Sequence, residues 1–322
     1  MAKAVYVGVG SKARKMKKAY IGIGGKARKV KKMYIGVGGK ARLCYSAELE
    51  RYGMAAALST ARYDMRAATV GKYALFAGGL APNPFFGENA SSSVDAYNTS
   101  LTKSTPTELS CKRCGHAAAS VGGYALFAGG ASSYNFLGYG NILSSVDAYD
   151  ASLTRSAAHI IGATAAIGGA AVGNYALFAG GRAGSFCTTV DAYNASLTRT
   201  TATALSSTKN NSAAATVGNH AIFVGNTASA DIYDASLTKT SAAILSTART
   251  GLAATTVGDY AIFSGGGVAD FCDASLTRSS IGTSMTGYEM GAATIGDYAL
   301  FAGGYSDEKS VTTYDSVEVY TA

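Results

Sequence analysis

Two cysteines three residues apart, Cys111 and Cys114, with His116 close behind, are the first residues in this chain that could do chemistry. Thiolates and an imidazole at such spacing hold zinc when a second pair completes a tetrahedral set. No second pair follows, and the segment aligns with loops that carry Ser, Thr and Asn elsewhere in the chain, so an incidental or structural role is expected. The three histidines, His116, His159 and His220, lie far apart in sequence. His220 stands where related segments carry tyrosine, which fits packing better than general-base work. Asp95, Asp147, Asp191 and Asp231 recur at one position of a repeat and read as one structural bond made several times. Gly22–Gly25 lacks the Lys-Ser/Thr ending of a phosphate-cradling loop. Glu88, Asp64 and Glu289 are the only obvious acids for hydrolytic chemistry. The chain therefore reads as non-enzymatic, with no catalytic residue, metal or cofactor expected.

The elements behind these residues are repeats. Six copies of a glycine, a variable residue and a short apolar strand begin at Gly71, Gly122, Gly173, Gly218, Gly258 and Gly296. Their separations are 51, 51, 45, 40 and 38 residues by subtraction of those positions. A period of roughly 40–50 with several short strands per unit is the pattern of a propeller. Alignment gives four strands per unit. Strand a is Ala/Thr-rich, as in 213–217, and strand b is Tyr-Ala-Leu-Phe-Ala ending at Gly-Gly. Strand c is Val-Asp-Ala-Tyr, an Asp/Asn-Ala-Ser-Leu turn follows it, and strand d comes last. The expected fold is all-β, a six-bladed propeller. Its last repeat stops after a strand c, and 43–51 and 55–62 mimic 232–239 and 242–249. The N-terminal segment is thus expected to close the sixth blade and remove a free sheet edge.

Charge divides the chain at about residue 42. Residues 1–42 hold thirteen Lys or Arg and no acid, whereas the other 280 hold fifteen basic and twenty acidic residues, about −5 against a net charge of +8. Domains are accordingly expected at 1–42, a basic arm, and 43–322, the propeller. The arm repeats every 14 residues as Tyr-Ile-Gly-Val-Gly-Gly-Lys-Ala-Arg. Turns at Gly24-Gly25 and Gly38-Gly39 predict a β-meander with strands near 3–9, 12–23, 26–37 and 40–47, in which Ile23 faces Lys26 and Ile21 faces Arg28. Such a ribbon is too thin for its own core and needs a partner. Its anchoring residues are taken as Tyr6, Tyr20, Tyr34, Arg14, Arg28, Lys29, Lys31 and Lys32. Phosphate binding to nucleic acid is the competing use. Five cysteines at dissimilar repeat positions argue for reduced thiols and synthesis in the cytoplasm. No secretory signal is expected, and the apolar stretch 157–181 reads as two repeat strands rather than a membrane span.

The Gly-Gly pairs at 78–79, 129–130, 180–181, 265–266 and 303–304, with the strand-c tyrosine downstream, resemble Kelch-type repeats over residues 48–322. That resemblance implies a β-propeller, although the usual strand-d tryptophan is replaced by Leu-Thr-Arg/Lys. Propeller enzymes leave different marks: a copper-radical oxidase needs clustered His and Tyr, and a sialidase needs Ser-x-Asp-x-Gly-x-Thr-Trp boxes, whereas this chain has no tryptophan. The short a–b and c–d turns are nearly uniform, while the b–c loops on the other face vary. A ligand face is expected there, built from Phe85, Phe86, Tyr134, Phe136 and Tyr139. The d–a loops would add Arg62, Tyr63, Arg113, Asn210, Arg249 and Tyr288. The tandem arm units look like N-terminal repeats of bacteriophage and prophage tail-associated proteins. This second resemblance implies a virion protein, made in the bacterial host cytoplasm, whose arm docks to tail proteins or sister subunits. The propeller would meet a host-surface glycan or protein. The alternatives are a carbohydrate-active propeller enzyme, and an intracellular Kelch-type module with a nucleic-acid-binding arm.

Overall fold

The computed structural model describes the strands between residues 6 and 46, and residues 50–321 apart from 84–86, 136–137, 160, 163, 166, 210, 283–286 and 307–311. It separates into two compact units, Met1–Arg51 with Tyr320–Ala322, and Tyr52–Val319. The basic unit holds three two-stranded hairpins: Tyr6–Val9 with Lys12–Lys15, Tyr20–Ile23 with Lys26–Lys29, and Lys32–Val37 with Lys40–Ser46. Ile23 opposes Lys26 and Ile21 opposes Arg28, the register a Gly24-Gly25 turn requires. Each described strand pairs across its own turn, the pairing with the smallest loop-closure cost, and residues 16–19 and 30–31 of the predicted longer strands lie outside the described residues.

Six four-stranded antiparallel sheets form the blades of the larger unit, which among its described residues also carries a supplementary four-stranded sheet and a two-stranded one. Blade 1 runs Arg66–Val70 (strand a), Tyr73–Ala77 (b), Val94–Asn98 (c) and Lys103–Ser104 (d). The a strands of blades 2 to 6 are Ala117–Val121, Gly168–Val172, Ala213–Val217, Ala253–Val257 and Gly291–Ile295. Each a strand packs against the next and the sixth against the first, so the ring closes. Blade 6 takes its outer strand from Glu50–Ala55, beside Val317–Thr321. Strand b is buried from its second residue onward. A strand covered on both faces reads as a continuous apolar run rather than an alternation. The strand-b phenylalanines lie edge-on to the strand-c tyrosines, as in Phe76–Tyr97 and Phe127–Tyr149 at 5.7 and 5.8 Å. Such pairs add about 0.5–1.5 kcal/mol beyond the area they bury.

Turn chemistry explains the repeat's glycines. The a–b turn has two residues, and its first, Gly71 and its equivalents, has φ of +53 to +58°. A Cβ at Gly122 would stand 2.5 Å from Ala195 in the c–d turn of the next blade. Neither condition admits another side chain cheaply. The leucine of each Asp/Asn-x-Ser-Leu turn also sits in the left-handed region, at +58 to +66° in all five copies. Leucine is an expensive residue there, and it is kept because its half-buried side chain packs into the core between blades, as Leu153 does with Val70 and Tyr149.

Hydroxyl groups stitch the inner strands together. Thr69 Oγ1 donates to the Thr294 carbonyl (2.6 Å), Ser120 Oγ to Thr69 (2.5 Å) and Thr216 Oγ1 to Ala171 (2.5 Å). Thr256 donates to Thr216 and Thr294 to Thr256. Blade 3 carries Ala171 at this position, so the girdle has one gap, between blades 3 and 2. Inside it runs an axial cavity of about 160 Å³ lined by Ala, Gly, Ser and Thr from all six blades.

Candidate functional site

The d–a loops carry a repeated charge clamp. Leu-Ser-x-x-Arg/Lys occurs at 58–62, 109–113, 205–209 and 245–249. In each copy the last residue reaches the buried strand-c aspartate of the blade it introduces. Arg62 Nη2 lies 2.8 Å from Asp95, Arg113 Nη2 2.9 Å from Asp147 and Lys209 Nζ 3.5 Å from Asp231, and Arg249 pairs with Asp270. The motif serine supports the same carboxylate through its N–H, and Ser59, Ser110 and Ser246 add their hydroxyls. From the outer side the first residue of strand d approaches, as Arg155 does to Asp147 at 3.0 Å. Burial pushes Asp270 up, but Ser280, Ser246 and Arg249 outweigh it and hold the carboxyl below its usual range. Asp95, Asp147, Asp231 and Asp270 thus make one bond repeatedly, whereas Asp191 of blade 3, which has no such motif ahead of it, pairs with Arg199 of strand d. The assignment of Arg62, Arg113 and Arg249 to a ligand face is corrected. The first two are fully buried, and Arg249 spends its guanidinium on Asp270 and two carbonyls.

Long b–c connections form structure of their own. Leu80–Asn83, Gly87–Ala90, Ala131–Asn135 and Gly138–Ile142 make a four-stranded sheet that joins blades 1 and 2 through Glu88 opposite Tyr134. Under it a satellite core gathers Tyr63, Leu80, Cys114 and Ala131, with Tyr134, Tyr139 and Tyr305 packed against it. Tyr134 and Tyr139 meet edge-on at 5.1 Å, and Tyr305 contacts both Tyr63 and Tyr288. Tyr63 is 6% exposed and serves this packing, whereas Tyr134, Tyr139 and Tyr288 remain half-exposed. Phe85, Phe86, Phe136 and Asn210 lie outside the described residues, as does Lys31. Tyr6, Arg14, Tyr20, Arg28, Lys29, Lys32 and Tyr34 lie on the hairpin strands of the other unit.

On this same face the residues two before strand a in blades 1, 2, 4, 5 and 6 form a collar, polar at Asp64, Asn211 and Glu289, around the mouth of the axial channel. Asp64, Gly115, Asn211, Gly251 and Glu289 all have φ between +45 and +66°. Tyr139 crosses over Gly115, where a Cβ would stand 2.6 Å from its ring, and donates to Asp64 Oδ2 at 3.0 Å. Arg66 Nη1 pairs with Asp64 Oδ1 at 3.1 Å. Burial raises the Asp64 carboxyl above its ordinary range, against Arg66, Tyr139 and the Gly115 backbone. Burial, then the Asp64 charge, push the Tyr139 phenol well up. The Asp64 N–H donates to the Glu289 carbonyl (2.9 Å), and Glu289 passes over Gly251 to accept from Asn211 Nδ2 at 3.2 Å. Two of the three acids picked from the sequence, Asp64 and Glu289, therefore share one rim. Glu88 lies on the supplementary sheet. Arg66 and Ser212, on the wall of the channel mouth, were missed by sequence reasoning. Ser212 had a signal: it stands where other blades carry Met65, His116, Ile167, Leu252 and Met290.

Among the described residues no group of three or more His, Cys, Asp or Glu is placed to hold a metal ion. The Cys111 sulfur accepts from Arg113 Nη2 at 3.3 Å, and the buried Cys114 donates to the Ala131 carbonyl at 3.4 Å. Among the described residues no helix is long and apolar enough to cross a membrane. No protein-family model matches the sequence, and comparison with curated proteins finds no match. Among solved structures the chain is similar to that of YjhT, with 12% sequence identity, a TM-score of 0.63, and coverage of 83% of this chain and 99% of that one. At that identity the likeness concerns the fold: this chain is a six-bladed β-propeller.

Proposed function

We propose that this protein is a non-enzymatic recognition protein of a phage or phage-like particle, with a Kelch-like propeller that binds a host-surface glycan or protein. One observation carries the reading. The face bearing the a–b and c–d turns is the same close-packed scaffold from blade to blade. The opposite face has an extra sheet over blades 1 and 2, half-exposed Tyr134, Tyr139 and Tyr288, and a polar collar. Variation confined to one end of a rigid ring is how binding sites are built on repeats. The three basic hairpins support an anchoring role, because a two-stranded ribbon lacks a core and gains stability from a docked partner. That partner is a tail protein or a sister subunit. The protein then resides in the virion after synthesis in the bacterial host cytoplasm.

Convergence of Asp64 and Glu289 is the observation that favours a carbohydrate-active enzyme instead. Asp64, however, is 1% exposed and bonded to Tyr139 and Arg66, which suits a rim-bracing residue better than an acid catalyst. The test is binding of the full chain to intact bacterial cells and to a panel of cell-surface glycans, beside Tyr134→Ala/Tyr288→Ala. Saturable binding that the double variant weakens tenfold or more supports the reading. Equal binding by the variant removes this face from recognition, and release of reducing sugar from the panel would replace the reading with the enzymatic one.

A further inference from the structure

The b–c connection of blade 3 is a short hairpin between strands Tyr175–Ala179 and Val190–Tyr193, in which Arg182–Ala183 pairs with Ser185–Phe186. Gly184, with φ of +81°, lets the chain reverse between them. Arg182 is fastened at several points. Its N–H donates to the Ala165 carbonyl (2.8 Å), its carbonyl accepts from the Ala165 N–H (3.1 Å), and Ala165 is fully buried. Its Nε donates to the Gly184 carbonyl at 3.2 Å. The guanidinium lies 5.8 Å from the ring centroid of Phe186, its direct partner in the ladder, within cation–π range. It also reaches the tip of the neighbouring hairpin, where a Cβ on Gly138 would stand 4.0 Å from Nη1.

Both side chains nevertheless face water: Arg182 is exposed, and Phe186 is 46% exposed. Among the described residues the other large apolar side chains left so open are Tyr52 and Met54, on the outer strand of blade 6. Charge sets Arg182 apart as well. Every other arginine of residues 52–322 pairs with an aspartate, whereas Arg182 pairs with no carboxylate among the described residues and spends only Nε on the protein. An arginine held by its backbone, its Nε and one face of its guanidinium has already lost the freedom that binding would otherwise cost. Its Nη1–Nη2 edge is left to donate, and two parallel N–H bonds from such a fork match two oxygens on one carbon or phosphorus.

We propose that Arg182 and Phe186 form a subsite for an anionic glycan, the guanidinium taking a carboxylate or phosphate and the aromatic ring the apolar face of the sugar that bears it. The proposal rests on the recognition reading above and names the ligand class for it. An arginine without a protein carboxylate selects for charge, because only an oxyanion gains charge-assisted bonds from it. The exposed ring beside it selects a sugar over a bare anion, because it offers apolar area to pack against.

The experiment is calorimetry on the full chain, with saturation-transfer NMR for the sugars. Glucuronate and glucose 6-phosphate separate the carboxylate from the phosphate; glucose, uncharged glucuronamide and inorganic phosphate are the comparisons. At least one anionic sugar is expected to bind about tenfold or more tighter than its neutral counterpart. Arg182→Gln should abolish that preference, and Arg182→Lys, which keeps the charge but not the fork, should lose roughly threefold or more. Phe186→Ala should bring the sugar down to the level of inorganic phosphate. Both side chains are exposed, so the thermal melts of these variants should match that of the unaltered chain. Equal binding of charged and neutral sugars overturns the proposal, as does an Arg182→Gln variant that keeps the preference. An anionic sugar that binds no tighter than inorganic phosphate overturns it too, since the site then holds an adventitious ion only. If no anionic sugar binds while intact cells are still recognised, this subsite is wrong and the recognition reading stands. If neither binds, both fail.

Discussion

Replacing Arg113 with methionine tests the account of what holds a blade. The guanidinium is fully buried and donates to the carbonyls of Gly129 (2.9 Å) and Ser145 (3.0 Å), to Ser145 Oγ (2.9 Å) and to Asp147 (2.9 Å). Methionine fills much of the volume but leaves Asp147, 1% exposed, with Ser110 and the partly exposed Arg155 as its remaining support. Breaking a buried pair in this way costs about 3–5 kcal/mol, a large part of the ~5–15 kcal/mol that typically separates folded from unfolded chains. Arg113→Lys should cost less, about 1–2 kcal/mol, because blade 4 already works with Lys209, whose ammonium reaches Asp231 and one carbonyl. Arg113→Met/Asp147→Leu removes the stranded charge and should recover at least about 2 kcal/mol relative to the sum of the single losses. The assay is equilibrium urea unfolding, followed by tyrosine emission, since the chain has no tryptophan. A loss below about 1 kcal/mol for Arg113→Met, or strict additivity in the double variant, would refute the clamp as a stabilising device.

Two further outcomes follow from the same geometry. His116 is fully buried, and burial, then Arg113, hold its imidazole well below the usual value of 6.5. The unfolded chain therefore takes up a proton below about pH 6.5 that the folded chain refuses, so stability is full above that pH and falls as pH drops, by up to ~1.4 kcal/mol per unit. His116→Met, the residue blades 1 and 6 use there, should flatten the urea midpoint between pH 7.5 and 5.5, and an unchanged slope would exclude the histidine as its source. In the hydroxyl girdle, Thr216→Val should cost about 1 kcal/mol. Ala171→Ser should bridge the gap between blades 3 and 2 and raise the melting temperature by a few degrees; a lower melting temperature would count against that bond.

Much of the propeller is written locally. The a–b turn demands a positive φ at its first residue, only glycine meets it cheaply beside the next blade's alanine, and so the glycines count the blades. The clamp was half legible. Recurrence at one repeat position marks the aspartates as structural, whereas a loop position by itself suggests exposure for the arginines, two of which are fully buried. Leu-Ser-x-x-Arg/Lys, spaced constantly ahead of strand a, would have paired them with the aspartates. In the arm, the 14-residue period fixes where the turns fall, and the register of Ile23 opposite Lys26 follows from it.

The architecture of the long-loop face could not be read this way. Its extra sheet depends on a bridge between Glu88 and Tyr134, 46 positions apart by subtraction, and no local propensity encodes that pairing. The mouth draws Arg66, Ser212, Leu252 and Met290 from blades 1, 4, 5 and 6, and their proximity follows from the closure of six blades around a narrow axis. Repeat chemistry, governed by backbone sterics and nearest neighbours, was set by the sequence alone. Which side chains share a cavity was decided by the ring, because only closure turns positions separated by about 225 residues, such as 66 and 290, into neighbours.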